Sequence, residues 1–205
     1  MPDSQINLIK TTPEDKIPSS ADIINGADFF HAWKLTDDSK LTKYFNEMGV
    51  VGSYEIFEII VISYHRYLNG KEIDLAGQIE KRQFKKTNEH ALYVSRLSKD
   101  SINGVYIPQD IQECMTELDR LMDETSKNTF SQREEKEAVG AAYGLGPGQR
   151  MRNNWGLWGG SRLQKYFLDK GVNNPEGMSW IILTCYHRYR NGKPLDFEKQ
   201  IEETK

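Results

Sequence analysis

Apolar residues recur along much of this chain at the three- and four-residue spacing that places them on one face of a helix. After Asp110 the spacing is regular over several turns, and the opposite face is polar or charged. The apolar positions of this face are Ile111, Cys114, Met115, Leu118, Leu121 and Met122. A further helix is predicted from Ser131 to Ala142, and the glycine- and proline-containing segment 144–148 predicts a loop after it. The pattern therefore predicts an all-α protein.

From Trp33 onward the pattern returns 122 residues later without a gap. The segment Leu41-Thr-Lys-Tyr-Phe45 recurs as Leu163-Gln-Lys-Tyr-Phe167, and Tyr64-His-Arg-Tyr67 recurs as Tyr186-His-Arg-Tyr189. Self-similarity at one fixed offset over such a length predicts an internal duplication.

Each copy is predicted to form three helices. The first begins at a capping serine and ends at a glycine. The second is apolar around most of its circumference, so it should be central and buried, and it ends at an Asn-Gly pair. The third is short and begins after a capping aspartate. In the two copies these boundary residues are Ser39 and Ser161, Gly49 and Gly171, Asn69 and Asn191, and Asp74 and Asp196.

Large apolar residues that both copies keep are predicted to lie in the core. These pairs are Trp33 and Trp155, Leu41 and Leu163, Tyr44 and Tyr166, and Phe45 and Phe167. The two cysteines, Cys114 and Cys185, fall within apolar helical patterns and are predicted to be buried thiols.

Four segments are predicted. Residues 1–26 are rich in Ser, Thr, Pro and Asp and are interpreted as an extended or weakly ordered arm. Residues 27–84 hold the first three-helix copy, and residues 85–105 form a connection. Residues 106–205 hold the second copy with the additional helices before it. The fold is therefore predicted as a duplicated three-helix unit with extra helices inserted between the copies.

Composition narrows the functional classes. The formal net charge is −3, which gives no general attraction to nucleic acid or anionic lipid, although Lys81–Lys86 is locally basic. No apolar run reaches the length of a membrane span, and residues 1–7 lack the features of a secretion signal. We expect a cytoplasmic protein that binds neither membrane nor, in general, nucleic acid.

The segment Arg152-Asn-Asn-Trp-Gly-Leu-Trp-Gly-Gly-Ser161 is the main candidate site. It combines guanidinium, amide and indole groups with three glycines, a composition that fills a core poorly. One hypothesis is a pocket in which Arg152, Asn153 and Asn154 orient a ligand and Trp158 stacks on it. The alternative is a network of Arg and Asn side chains that satisfies backbone carbonyls in a glycine-rich crossing. The first copy has different residues at the non-repeated positions, namely Phe30, His31, Ala32, Thr36, Asp37 and Asp38.

Other candidate binding residues adjoin this segment or follow from the repeat. They are Ser161, Arg162, His187 and Arg188. The His-Arg pairs lie near the ends of the second helices, where a half-buried histidine is favoured by the helix dipole. An acid or anion-binding role for these pairs is the alternative.

Established motifs for catalysis and cofactor binding are missing from the sequence. It contains no Walker A segment, His-Glu-x-x-His, Cys-x-x-Cys or Gly-x-Ser-x-Gly. We therefore predict no catalytic residues, no metal site and no cofactor.

The stretch from Tyr106-Ile-Pro through the Arg152–Ser161 segment to Asn191-Gly-Lys-Pro resembles a bacterial family of domains of unknown function. The resemblance covers residues 106–202, and residues 27–84 look like a degenerate additional copy without the Arg-Asn-Asn part. It implies a helical fold and a bacterial or phage origin, and it brings no activity.

The sequence leaves the function open between classes. We expect a non-catalytic module that binds another protein, such as an immunity protein, an antitoxin or a regulator. The alternative is a protein that binds a small molecule or nucleotide, or a small hydrolase, through the Arg152–Ser161 stretch.

Overall fold

The computed structural model describes residues 2–19, 33–35, 39–144 and 146–204, and within these ranges the chain is helical apart from one small hairpin. The predicted all-α class is confirmed. Contacts divide the chain into two units, Met1–Thr87 and Asn88–Lys205. No helix in the described ranges is both long enough and apolar enough to cross a membrane.

The first unit is built around one apolar helix. Its elements are helix α1 (Asp3–Thr11), a 3-10 helix (Glu14–Ser19), α2 (Lys40–Glu47), α3 (Ser53–Leu68) and the first part of α4 (Leu75–Arg96). Helix α3 buries Ile56, Phe57, Ile59, Val61 and His65, which accounts for its nearly continuous apolar sequence. Ser39 caps α2 by accepting a hydrogen bond from the Thr42 N–H at 3.1 Å, as its spacing predicted.

The N-terminal segment differs from the extended arm that its composition suggested. Residues 3–11 form α1, and Ile9 and Ile17 are buried in the core of the first unit. Two buried isoleucines at helical positions outweigh the Ser, Thr and Pro content of the segment, because each contributes a few kcal/mol of burial free energy. The rest of the predicted arm, residues 20–26, lies outside the described residues.

The second unit contains the remainder of the chain. Its elements after α4 are strands β1 (Ser101–Ile102) and β2 (Val105–Tyr106), then α5 (Ile111–Leu121), α6 (Glu124–Gln132), α7 (Glu135–Tyr143), α8 (Pro147–Asn154), α9 (Arg162–Leu168), α10 (Pro175–Arg190) and α11 (Phe197–Thr204). Helix α10 is central and contacts α5, α6, α7, α8, α9 and α11. Asn174 caps it, and Pro175 occupies its first turn, where a backbone N–H has no acceptor within the helix and is not needed. Cys114 and Cys185 are buried free thiols.

Corresponding helices of the two units have corresponding bounds. Helices α3 and α10 begin and end at positions 122 residues apart, and α2 and α9 begin at the same offset. The glycines that end α2 and α9, Gly49 and Gly171, both have positive φ, as do Asp74 and Asp196. The agreement is what a duplication predicts, and the duplication itself stays a prediction.

The kept aromatic residues are not equally buried. Trp155, Phe45 and Phe167 lie in the cores, and Trp33 and Tyr166 are partly buried against them. Tyr44 is 49 % exposed, so its predicted core position is wrong. Its ring instead packs edge-on against Phe45, at 5.5 Å between ring centroids.

The segment between the predicted copies is more regular than its sequence suggested. Helix α4 continues to Arg96, through the basic run 81–86 and well past the predicted end of a short helix. A hairpin follows, in which Asn103 and Gly104 both have positive φ, as a type I′ turn requires. The helix predicted at 131–142 corresponds to α7, which begins later than predicted, because α6 ends at Gln132 and Glu134 caps α7.

Candidate functional site

The loop that joins α8 to α9 turns two large apolar side chains inward and one outward. Trp155 is 2 % exposed and Leu157 is fully buried, whereas Trp158 is 56 % exposed. Gly156 and Gly160 have φ values of 67° and 92°, which side chains with a Cβ rarely adopt. The glycines thus allow a tight loop that holds Trp158 at the surface.

Gly160 is also required by its surroundings. A Cβ on Gly160 would lie 2.6 Å from a ring atom of Tyr93, which is on α4. Arg96, one turn further along α4, donates a hydrogen bond from Nη1 to the Gly159 carbonyl at 3.2 Å. The end of α4 therefore supports the loop from one side.

A groove of about 340 Å³ lies beside Trp158 within the second unit. Helix α4, the hairpin, the end of α8 and the glycine loop each contribute to its walls. The lining residues are Arg96, Ile102, Asn103, Val105, Asn153, Asn154, Gly156, Trp158, Gly159 and Gly160. Three of the predicted site residues, Asn153, Asn154 and Trp158, are therefore brought together here.

Three amide side chains in this groove have no hydrogen bond to the part of the chain that the structure describes. They belong to Asn103 in the hairpin turn and to Asn153 and Asn154 in the last turn of α8, and all three are exposed. An amide offers two N–H donors and a carbonyl acceptor, so the groove presents both kinds of group to a ligand.

Arg152 is adjacent to these amides in sequence but points into the protein. Its guanidinium donates to the Ser179 hydroxyl at 2.8 Å and to the Tyr143 and Gly144 carbonyls at 3.2 and 3.4 Å. It also lies over the Tyr143 ring, 4.8 Å from the centroid. These contacts support the structural alternative for Arg152, a network that satisfies carbonyls between helices.

Ser161 and Arg162 also have structural contacts. Ser161 is fully buried, and its Oγ caps α9 by accepting from the Gln164 N–H at 3.0 Å. Arg162 donates from Nε to the Ile107 carbonyl at 2.7 Å and pairs with Glu113 at 3.3 Å. Both residues fix the start of α9 and do not line the groove.

His187 and Arg188 form a cluster with Glu135, at the start of α7. Arg188 donates from Nε and Nη2 to the two carboxylate oxygens of Glu135 at 3.0 and 3.1 Å, and from Nη1 to Asp196 at 2.9 Å. His187 is buried, more deeply than predicted, with Nε2 3.0 Å from the Arg133 carbonyl. Burial opposes ionisation of Glu135, but Arg188 outweighs it and holds the pKa of Glu135 below its usual value.

The same cluster occurs in the first unit. Arg66 donates from Nε and Nη2 to one carboxylate oxygen of Glu14 at 3.0 and 2.6 Å, and the Nδ1 of buried His65 lies 3.8 Å from the other oxygen. The hydrogen bonds from Arg66 hold the pKa of Glu14 below its usual value. In each unit the cluster joins the central helix to an element that precedes it in the chain, which is a structural role.

Sequence reasoning missed that residues before 106 contribute to the groove beside Trp158 and support its loop. Arg96 and Tyr93 lie in a segment that was predicted as a connection, and the hairpin supplies Ile102, Asn103 and Val105. The Asn103-Gly104 pair between Ile102 and Val105 was a usable signal, because Asn-Gly between apolar residues is typical of a two-residue hairpin turn. The first-copy residues Phe30, His31, Ala32, Thr36, Asp37 and Asp38 lie outside the described residues.

The groove itself carries amide, guanidinium and indole groups, which bind ligands and do not transfer protons at neutral pH. In the described ranges no group of three or more His, Cys, Asp or Glu side chains could hold a metal ion. The fold and this groove together describe an all-α protein of two units, and the second unit carries a groove with mixed polar and aromatic walls.

The chain belongs to a family described as a domain of unknown function, DUF6794, whose model matches residues 1–68 and 107–190, together more than half of the chain. The resemblance to an uncharacterised family is thereby confirmed. Searches of curated proteins and of solved structures found no match.

The matched ranges add two observations. Both end at the same repeat position, the last residue of α3 and of α10. The first range begins at residue 1, before the predicted copy 27–84, and so includes α1 and the 3-10 helix with Glu14.

Proposed function

We propose that this protein is a non-catalytic protein-binding module and that the surface around Trp158 contacts the partner. Trp158 is the observation that carries the proposal. A tryptophan that is 56 % exposed leaves a large apolar area in water, and the loop that holds it there is fixed by two glycines with positive φ. Tryptophan is among the residues that contribute most to binding energy at protein interfaces.

The contacts of the other candidates favour binding over hydrolysis. A serine nucleophile needs an accessible hydroxyl beside a general base. Ser161 is fully buried and caps α9, while His187 contacts Arg133 and Phe130. The groove volume of about 340 Å³ lies at the lower end of the range for small-molecule sites, roughly 300–1,000 Å³. A short segment of a larger partner fits these dimensions better than a nucleotide.

The charge distribution disfavours nucleic acid as the partner. The chain has a formal net charge of −3, and within the basic run of α4 Arg82 pairs with Glu58. We infer that the protein is of bacterial or phage origin. We infer further that it acts in the cytoplasm as an immunity protein, an antitoxin or a regulator that binds another protein.

Partner capture with matched aromatic variants tests the proposal. The tagged full chain is crosslinked in the source organism, and captured proteins are quantified for wild type, Trp158→Ala and Tyr189→Ala. Tyr189 is the control because it is also on the second unit and 43 % exposed. We expect a partner that Tyr189→Ala retains and Trp158→Ala loses by at least about tenfold, which corresponds to roughly 1.4 kcal/mol. A partner that both variants retain equally would contradict the assignment of this surface.

A further inference from the structure

We propose that the groove beside Trp158 binds a short extended peptide segment that carries a carboxylate side chain. The inference rests on the proposed function and makes it more specific, since it states what part of the partner enters the groove. Hydrogen-bonding pattern, charge and shape support it separately.

The free amides match the hydrogen-bonding pattern of a peptide backbone. Each peptide group has one N–H donor and one carbonyl acceptor. An asparagine amide can meet both at once, and the groove has three such amides with no other hydrogen bond to the described part of the chain, Asn103, Asn153 and Asn154. They come from two different elements, the hairpin turn and the end of α8, so they can contact successive peptide groups.

The charge of the groove predicts an acidic ligand. Among the described residues that line the groove, Arg96 is the one that carries a charge, and none of them has a carboxylate. One N–H of Arg96 is engaged by the Gly159 carbonyl, which orients the guanidinium and leaves other donors of its planar fork for a ligand. A carboxylate is the natural partner for such a fork, because it can accept two parallel hydrogen bonds.

The shape of the groove suits a backbone. Gly156, Gly159 and Gly160 line it, and the exposed Gly159 has no side chain, so another chain can approach its backbone closely. Trp158 stands beside them with more than half of its surface exposed, where it can cover one face of an extended segment.

A neutral saccharide could use the same amides and the same indole, but it has no carboxylate to pair with the guanidinium of Arg96. The carboxylate is therefore the feature that separates the two ligands, and the experiment is built around it.

The probe is a library of random twelve-residue peptides displayed on phage and selected on the full-length protein. A counter-selection on the Trp158→Ala protein removes phage that bind elsewhere on the surface. Selected peptides are synthesised with both termini blocked, and their affinities are measured with and without replacement of Asp by Asn or Glu by Gln. The same peptides are titrated against Arg96→Gln, which removes the positive charge and keeps a polar amide side chain.

We expect neutralising the carboxylate to weaken binding to wild type about tenfold, as losing a charge-assisted pair of hydrogen bonds should. The same change should have no further effect on Arg96→Gln, since the carboxylate has already lost its partner there. If circular dichroism shows that Arg96→Gln is altered in fold, Asn153→Leu, which changes an exposed side chain at the end of α8, takes its place. It should weaken every selected peptide.

Selected peptides that bind equally well without a carboxylate would overturn the inference while leaving the proposed function intact. A glycan array that binds wild type and not Trp158→Ala, with no peptide selected, would overturn both. Loss of the cellular partner in Trp158→Ala together with a selection that yields no peptide would support the proposed function and reject the peptide.

Discussion

The two tryptophans of the α8–α9 loop provide a matched pair of substitutions with opposite expected results. Trp155→Ala should destabilise the second unit by about 3–5 kcal/mol, and Trp158→Ala by only about 1–2 kcal/mol. The residues differ by three positions in sequence and have the same chemistry, so the difference tests burial alone.

The magnitudes follow from the surroundings of each indole. Trp155 is 2 % exposed and belongs to the same buried cluster as Met151, Leu157 and Leu163. A buried Trp removes about 150–250 Å² from water, which at about 25 cal/mol per Å² amounts to roughly 4–6 kcal/mol. The destabilisation expected for Trp155→Ala is somewhat smaller than this burial free energy, because the denatured chain already buries part of the area. Trp158 has less than half of its surface covered, and removing it leaves no closed cavity.

Urea unfolding followed by far-UV circular dichroism is the assay, since tryptophan fluorescence would change with the substitutions themselves. The chain has two units, so hydrogen exchange of a peptide covering residues 178–187 of α10 assigns the change to the second unit. Equal destabilisation by the two substitutions would refute the described orientation of the loop. It would also remove the basis for using Trp158→Ala as a binding variant.

Two further predictions concern the loop and the carboxylate cluster. Gly160→Ala should cost about 1–3 kcal/mol more than Gly104→Ala in thermal unfolding: both glycines have positive φ, but only the Cβ at 160 would meet the Tyr93 ring. Because the pKa of Glu135 is lowered in the folded protein, its contribution to stability is present above the unfolded pKa and is lost as pH falls through the folded one. In acid titrations of unfolding free energy, wild type should therefore lose stability relative to Glu135→Gln below about pH 4.5, and parallel curves would contradict the Arg188 interaction.

Repetition made much of the fold predictable from sequence. Where a pattern occurs twice, errors in one copy are corrected by the other, and the bounds of α3 and α10 agree with the predicted ones to within a few residues. Capping residues were equally informative, because a serine or asparagine directly before an apolar run commonly caps the start of a helix. Ser39 and Ser161 both accept the predicted backbone hydrogen bonds, and Asn174 accepts one of the same kind at the start of α10.

Segments without a counterpart were predicted poorly. Helix α4 continues through residues 84–92, which are exposed. Because this part of the helix has no buried face, its sequence lacks the apolar periodicity that indicates a helix. Helix α1 was missed for a different reason: it buries only Ile9, and one buried residue in a nine-residue helix does not form a clear pattern.

The candidate site could be predicted only in part, for a geometrical reason. Arg152, Asn153 and Asn154 are consecutive in a helix, and successive side chains of a helix point about 100° apart. The run therefore places its arginine in the interior and its amides at the groove. Composition identified the run, but it could not separate the inward residue from the outward ones without knowing which side of α8 faces the core.

Comparison of the two units favours a structural role for the repeated Tyr-His-Arg-Tyr element and makes the Trp158 groove the better functional candidate. Arg66 donates two hydrogen bonds to Glu14, and Arg188 donates two to Glu135. Each pair joins the central helix of its unit to a preceding element. A feature that both units use in the same way serves what they share, which is their fold. The groove draws on a hairpin and on the end of α4, which have no equivalent before α2 among the described residues of the first unit. Its tryptophan occupies a position where the first copy has Thr36. The described part of the first unit has no counterpart of this surface, and the surface leaves an aromatic side chain in water, so it is where we propose that a binding function lies.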